Sequence, residues 1–135
     1  MDQKLRDFYL DAQIKNATPG QLLIMLYDHL IQNAECADAE ISAAENPDVL
    51  FRASKSISRC INIMTELNRS LNHSVDPTLC KTLSNLYLFF TQEFSGAFDK
   101  REAKRIRAIL PLIRELRNAW FTADLRVGNS QAVAA

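Results

Sequence analysis

Residues Asn16–Ile31 read NATPGQLLIMLYDHLI, and this stretch decides the fold. Thr18 offers a hydroxyl to the first free backbone donors, and Pro19 sits where its missing N–H costs nothing. Gln21 stands where its side chain can reach back to the cap. Together they form a capping box, so a helix starts at Pro19. Five apolar residues then follow without a break, Leu22 to Leu26. A helix that buries one stripe needs apolar residues only at i, i+3, i+4 and i+7. This helix is therefore apolar on more than one face, and something has to cover the second.

The same punctuation recurs along the chain. Asn46-Pro47 and Asp76-Pro77 each place a capping side chain before a proline, and Asp99-Lys100-Arg101-Glu102 reads as a second capping box. Four start signals imply four helices, at about 19–45, 47–73, 77–98 and 100–126, after an N-terminal arm, 1–17, and before a frayed tail, 127–135. Apolar residues recur at helical spacing in each. The first carries Leu23, Leu26, Leu30, Ala34, Ala37 and Ile41. In the second, Leu50, Ile57, Met64 and Leu71 fall seven apart with Ala53, Cys60 and Leu67 between them. The third carries Leu79, Leu83, Leu86, Phe90 and Phe94, and the fourth Ile106, Ile109, Leu110, Ile113, Leu116 and Trp120. Short connections force successive helices to run antiparallel. The expectation is all-α: one domain over 1–126, an antiparallel up-down four-helix bundle with an N-terminal capping segment. Pro111 should kink the fourth helix, and Gly96 should weaken the third.

Composition agrees. Three glycines and four prolines in 135 residues disfavour a turn-rich β fold, and 47% hydrophobic with 24% charged residues suits a globular chain. No apolar run approaches the roughly 18–20 residues of a membrane span, and the N-terminus lacks the apolar stretch of a secretory signal. Cys36, Cys60 and Cys80 form no C-x-x-C pair. A cytoplasmic protein with reduced thiols and no membrane insertion is expected. Net charge is zero, yet residues 1–50 hold three Lys/Arg against nine Asp/Glu, and the remainder thirteen against seven. An acidic first helix beside a basic last helix accounts for this without a nucleic-acid partner.

Little in the chain points to catalysis. His29 and His73 stand in no Glu-x-x-His pair, so neither a di-iron bundle nor another metal site is indicated, and no cofactor is expected. Gly20, Gly96 and Gly128 are isolated and make no phosphate loop. The cluster Lys100, Arg101, Lys104, Arg105, Arg107, Arg114, Arg117 lacks the interleaved aromatics of single-strand binders and reads as a solvated face. What stands out is surplus apolar surface. Leu22 and Met25 lie on one flank of the first stripe, Ile24 and Ile31 on another. Ile61 and Ile63 flank the second helix's seam, and Tyr87, Leu88 and Phe89 surround Leu86 and Phe90. A broad core stripe explains part of this excess; an apolar groove that takes an amphipathic helix explains the rest.

The segments NATPGQLLIMLYDHLI, NIMTELNRSLN (Asn62–Asn72), LYLFF and LIRELRNAW (Leu112–Trp120) together resemble the flagellar secretion chaperone FliS family, from about Tyr9 to Ala123. The resemblance implies a non-enzymatic helical bundle whose partner is the C-terminal region of flagellin, disordered when free. That segment would form helices in the bundle's apolar grooves, which prevents premature polymerisation and assists type III flagellar export. Ordering it costs about 2–5 kcal/mol, offset by burial of apolar surface. Matched positions place the flagellin-binding groove at Leu22, Met25, Leu26, Tyr27 and Asp28, at Asn62, Met64, Leu67, Asn68 and Leu71, and at Leu86 and Tyr87. Leu67 and Leu71 serve equally well as core. Tyr9 and Ile14 fall on an N-terminal capping arm that covers an apolar pocket until the client arrives. Departures from the family pattern are Leu88-Phe89 in place of Asp-Tyr, Gln92-Glu93 in place of an arginine pair, Ile61 in place of glutamine, and Arg6 in place of an apolar residue. They leave room for other flagellar export or regulatory proteins as partners. The alternative is a helical adaptor or dimerisation module for another client; a monomer or weak dimer is expected.

Overall fold

The computed structural model describes residues 15–43 and 45–134, with side chains to residue 126. Four helices account for almost all of them: α1 Pro19–Ser42, α2 Pro47–Arg69, α3 Pro77–Asp99 and α4 Lys104–Ala134. The expected arm, with Tyr9 and Ile14, lies outside the described residues.

The first three helices start where their caps put them. Thr18 Oγ1 accepts from the Gln21 amide at 3.2 Å while Gln21 Oε1 accepts from the Thr18 amide at 3.0 Å, a complete capping box. Asn46 Oδ1 accepts from the Val49 amide and Asp76 Oδ1 from the Leu79 amide, each helix with proline in its first turn.

The fourth start differs from the sequence reading. Asp99-Lys100-Arg101-Glu102 does not open α4; it closes α3. Glu102 N–H donates to Ala97 O at 2.8 Å across a left-handed Arg101, φ 56°, which is the Schellman way of satisfying last-turn carbonyls. An acidic residue three before another fits either role, and the left-handed residue decides it. α4 therefore begins at Lys104. Its backbone also runs on to Ala134, where a frayed tail from 127 was expected, because Gly128 alone is a weak breaker and no proline follows. α4 continues through Pro111, which faces solvent.

Each helix packs on its chain neighbours, and α4 closes the ring on α1, giving the up-down bundle. Three ion pairs set the register of that closing contact: Arg107–Asp38, Arg114–Glu35 and Arg117–Asp28. The acidic first helix thus meets the basic last helix through these three pairs. Exposed pairs of this kind contribute only about 0.2–1 kcal/mol each, so they orient more than they stabilise.

The core supplies the stability. Leu30, Phe90, Phe94, Ile106 and Ile113 are fully buried, and burying each contributes roughly 1.5–3 kcal/mol. Small side chains are buried on both helices, Ala34 and Ala37 of α1 and Ala53, Ser56 and Cys60 of α2, and Ser56 Oγ donates to Glu40 Oε1 at 2.6 Å. The inward stripe of α1 is rotated from the expected one at its N-terminal end. Ile24 and Tyr27 are buried, whereas Leu23 and Leu26 pack only at the edge. Leu79 is likewise not core but half-exposed at the start of α3. At Gly96 a methyl would lie 1.9 Å from the guanidinium of Arg105, which bonds Glu102 at 3.0 Å, so an alanine there would oblige that guanidinium to shift.

Candidate functional site

The four chain segments that meet at one end of the bundle leave it open. α1 contributes its first turns, α2 its last, α3 its first and α4 its outer half. Between them lies a cleft of about 340 Å³ whose walls are Leu23, Leu71, Val75, Leu79, Cys80, Leu83, Tyr87 and Trp120. Ser70, Asn72 and Asp76 line its polar part. The surface continues past Leu23 and Trp120 to Pro19, Gly20, Ala123 and Asp124. It then passes to a depression between α1 and α4 lined by Asn16, Ala17, Ile24, Met25, Phe121 and Leu125. Val75, Leu79, Phe121 and Leu125 expose large apolar side chains to water here. Contiguous apolar surface of this kind is a common mark of a partner-binding site.

Local sequence explains the opening. The α2–α3 connection, residues 70–76, is longer than the other two connections and carries α3 away before Pro77 restarts it. At Gly20 a methyl group would lie 2.0 Å from Asp124 Oδ1, the movable end of that side chain, so glycine leaves room for the carboxylate against the first turn of α1. The carboxylate thereby lies at the positive end of the α1 dipole, whose first turn has no acidic residue of its own.

The floor of the cleft is polar in one place. Tyr27 Oη and Tyr87 Oη are 2.6 Å apart, and Trp120 Nε1 donates to Tyr27 Oη at 3.2 Å. Burial raises the pKa of both phenols above its ordinary value, so both stay neutral and remain donors through the physiological range. The triad ties α1, α3 and α4 together across the interior.

The twelve groove residues read from the sequence lie in the same half of the bundle but do not line one groove. Leu71 and Tyr87 face the cleft, and Met25 lines the α1/α4 depression. Met64, Asn68 and Tyr87 border a second groove between α2 and α3, together with Leu88. Tyr27, Met64, Leu67 and Tyr87 are core side chains first, because the inward stripes of their helices run through them. Leu26 and Leu86 pack on that core, Leu22 is half-buried, and Asn62 is exposed. Asp28 is engaged with Arg117, whose own pKa that hydrogen bond raises. Val75, Phe121 and Leu125 escaped the sequence reading, and Leu79 and Trp120 were read as core. They come from the α2–α3 connection, the first turn of α3 and the outer half of α4, and only Leu79 and Trp120 carry the helical spacing. Among the described residues no group of three or more His, Cys, Asp or Glu converges as metal ligands would. No helix among them is long and apolar enough to cross a membrane.

The family model described as flagellar protein FliS matches residues 1–126. The chain is similar to the flagellar secretion chaperone FliS of Bacillus subtilis (strain 168), 26% identical over 115 residues that cover 85% of this chain and 82% of that one. It is also similar to the flagellar secretion chaperone FliS of Vibrio cholerae serotype O1, 21% identical over 118 residues, with 87% and 84% covered.

Proposed function

The chain belongs to the FliS family of flagellar proteins, and on that premise we propose that it is a cytoplasmic secretion chaperone for flagellin, not an enzyme. It holds the C-terminal segment of flagellin, keeps it from polymerising before export and assists its passage through the type III flagellar apparatus. The open apolar cleft is the observation that carries this reading. In the free chain its leucine, valine and tryptophan surfaces contact water, which is unfavourable; an amphipathic helix laid into it removes that surface from water. The free energy so gained offsets the entropy lost when a disordered segment becomes helical.

The N-terminal arm, 1–17, is proposed as the cover of the adjoining flank, with Tyr9 and Ile14 as its apolar contacts. Asn16 and Ala17, the end of that arm, already line the depression beside Ile24 and Met25, which supports this placement. Leu22 and Met25 then have two occupants in turn, the arm in the free chain and the client in the complex.

Co-purification tests the reading. Flagellin carrying its C-terminal segment should elute with this chain in equal amounts, and flagellin lacking it should not. Equal binding of the two would refute the groove mechanism. Sedimentation of the free chain adds a second check: a tight dimer that buries the cleft would favour a dimerising module instead. Tyr9→Ala should change client affinity while the thermal transition persists; loss of the transition would make Tyr9 plain core.

A further inference from the structure

The open end of the bundle carries negative charge and no cation to match it. Across the cleft and the two depressions that continue it, the charged wall residues are Asp76 and Asp124. Among the described residues no lysine, arginine or histidine lines any of the three. Asp76 is already engaged, since its Oδ1 accepts from the Leu79 amide at 3.1 Å and caps α3. Asp124 is not: among the described residues it has no hydrogen bond and no ion pair. It is half-buried and lines both depressions, with Leu23 and Trp120 in one and Ile24, Met25, Phe121 and Leu125 in the other. An unpaired carboxylate therefore stands in the middle of an apolar surface.

We propose that Asp124 is a specificity-determining residue of the client's seat, and that it selects a segment carrying a lysine or arginine within its apolar face. This rests on the proposed function and names the chemistry that the site reads. An apolar helix laid across both depressions strips water from the Asp124 carboxylate, and a carboxylate desolvated without a partner is costly. A basic side chain set among the client's apolar contacts meets it with a charge-assisted hydrogen bond. Both carboxylate oxygens are unengaged, so the paired donors of an arginine fit as well as the single head of a lysine. An acidic client residue at that point adds like-charge repulsion, and Asp76 in the adjoining cleft strengthens the same bias. Apolar contacts are non-directional, so this one fixed charge also supplies register along the client helix. The place of Asp124 at the positive end of α1 gives it a structural role too, so stability and binding have to be read apart.

A double-mutant cycle does this. The flagellin C-terminal segment, and the same segment with its lysines and arginines replaced by glutamine, are each titrated into the unaltered chain and into Asp124→Asn, both first shown folded by their thermal transitions. Asp124→Asn should weaken binding of the natural segment about tenfold, the worth of one hydrogen bond between charged groups. The glutamine segment should bind both chains alike, because the partner of the carboxylate is gone. Added salt should weaken the natural segment's binding to the unaltered chain more than its binding to Asp124→Asn. Losses that multiply independently would overturn the pairing and leave Asp124 with its structural role alone. Equal or tighter binding of the natural segment by Asp124→Asn would overturn it as well, as would tight binding of a segment that contains neither lysine nor arginine. Absence of binding by the unaltered chain would refute the proposed function itself, an outcome distinct from binding that Asp124→Asn leaves untouched.

Discussion

Replacing Val75 and Leu79 together by alanine separates the binding surface from the fold. Val75 is 77% exposed and Leu79 47% exposed, so the free chain gains little from either. Full burial of such side chains contributes roughly 1.5–3 kcal/mol each. About three-quarters of the valine's share and half of the leucine's therefore remain for a client to realise. Allowing for the β-carbon that alanine retains, the double variant should lose about 1.5–2 kcal/mol of binding, or roughly 10–30-fold in Kd. The fold should barely respond. Asp76, which caps α3 through the Leu79 amide, is untouched, and alanine is a good helix former in the first turn. Isothermal titration with the flagellin C-terminal segment reads the first effect and a thermal melt the second. A Kd within twofold of the unaltered chain, with the melting temperature preserved, would refute the cleft as the client's seat. A melting temperature lowered by 10 °C or so would mean that the two side chains are core after all.

Other parts of the account are open to equally direct checks. Phe94→Ala empties a fully buried site and should cost about 3–5 kcal/mol, read as a Tm lower by roughly 10–20 °C; a loss under about 1 kcal/mol would contradict the core assignment. Arg101→Gly should raise stability by about 0.5 kcal/mol, because glycine accepts the left-handed φ of 56° that costs arginine about 1–2 kcal/mol. The gain is partial because Arg101 also bonds the Phe98 carbonyl and stacks on its ring, and a net loss on chemical denaturation would show those contacts to dominate. Burial pushes the Cys60 thiol up from 9.0 to about 12. The folded chain therefore keeps a proton that the unfolded chain releases, so this stability is complete below pH 9 and is lost as pH rises towards 12. Tyr27 and Tyr87, raised in the same direction from 10.0, add to the loss above that value. Denaturation midpoints at pH 8 and pH 10.5 should fall accordingly, and a flat profile would contradict the burial of these groups.

The architecture was legible because it is written in local chemistry. Thr18, Asn46 and Asp76 cap their helices through bonds to residues three positions away, and such signals need no knowledge of the rest of the chain. The adjacency of α1 and α4 followed from topology together with charge, and Arg107, Arg114 and Arg117 meet the acids expected of that pairing. Rotation of α1 was not legible. With Leu22 to Leu26 all apolar, several stripes score alike, and the positions of α2 and α4 choose the one through Ile24 and Tyr27. The reading of Asp99–Glu102 failed for a related reason: its residue types suit a cap at either end, and only the backbone conformation of Arg101 tells which. The cleft was the least legible feature. Leu23, Leu71, Leu79 and Trp120 each follow helical spacing in sequence, and the Asp76-Pro77 cap marks where α3 starts without saying that the helices part there. Tyr27 and Tyr87 look like members of an apolar run, while their hydroxyl bond spans 60 residues.

Trp120 is the chain's single tryptophan and forms part of the cleft wall, so it reports on the client's seat without a label. Its emission during titration with a tryptophan-free flagellin C-terminal segment tests the central claim most directly. The cleft account predicts a saturable shift to shorter wavelength at one segment per chain, as the indole loses contact with water. Saturable binding of the segment with Trp120 emission unchanged would contradict it and place the client elsewhere on the bundle.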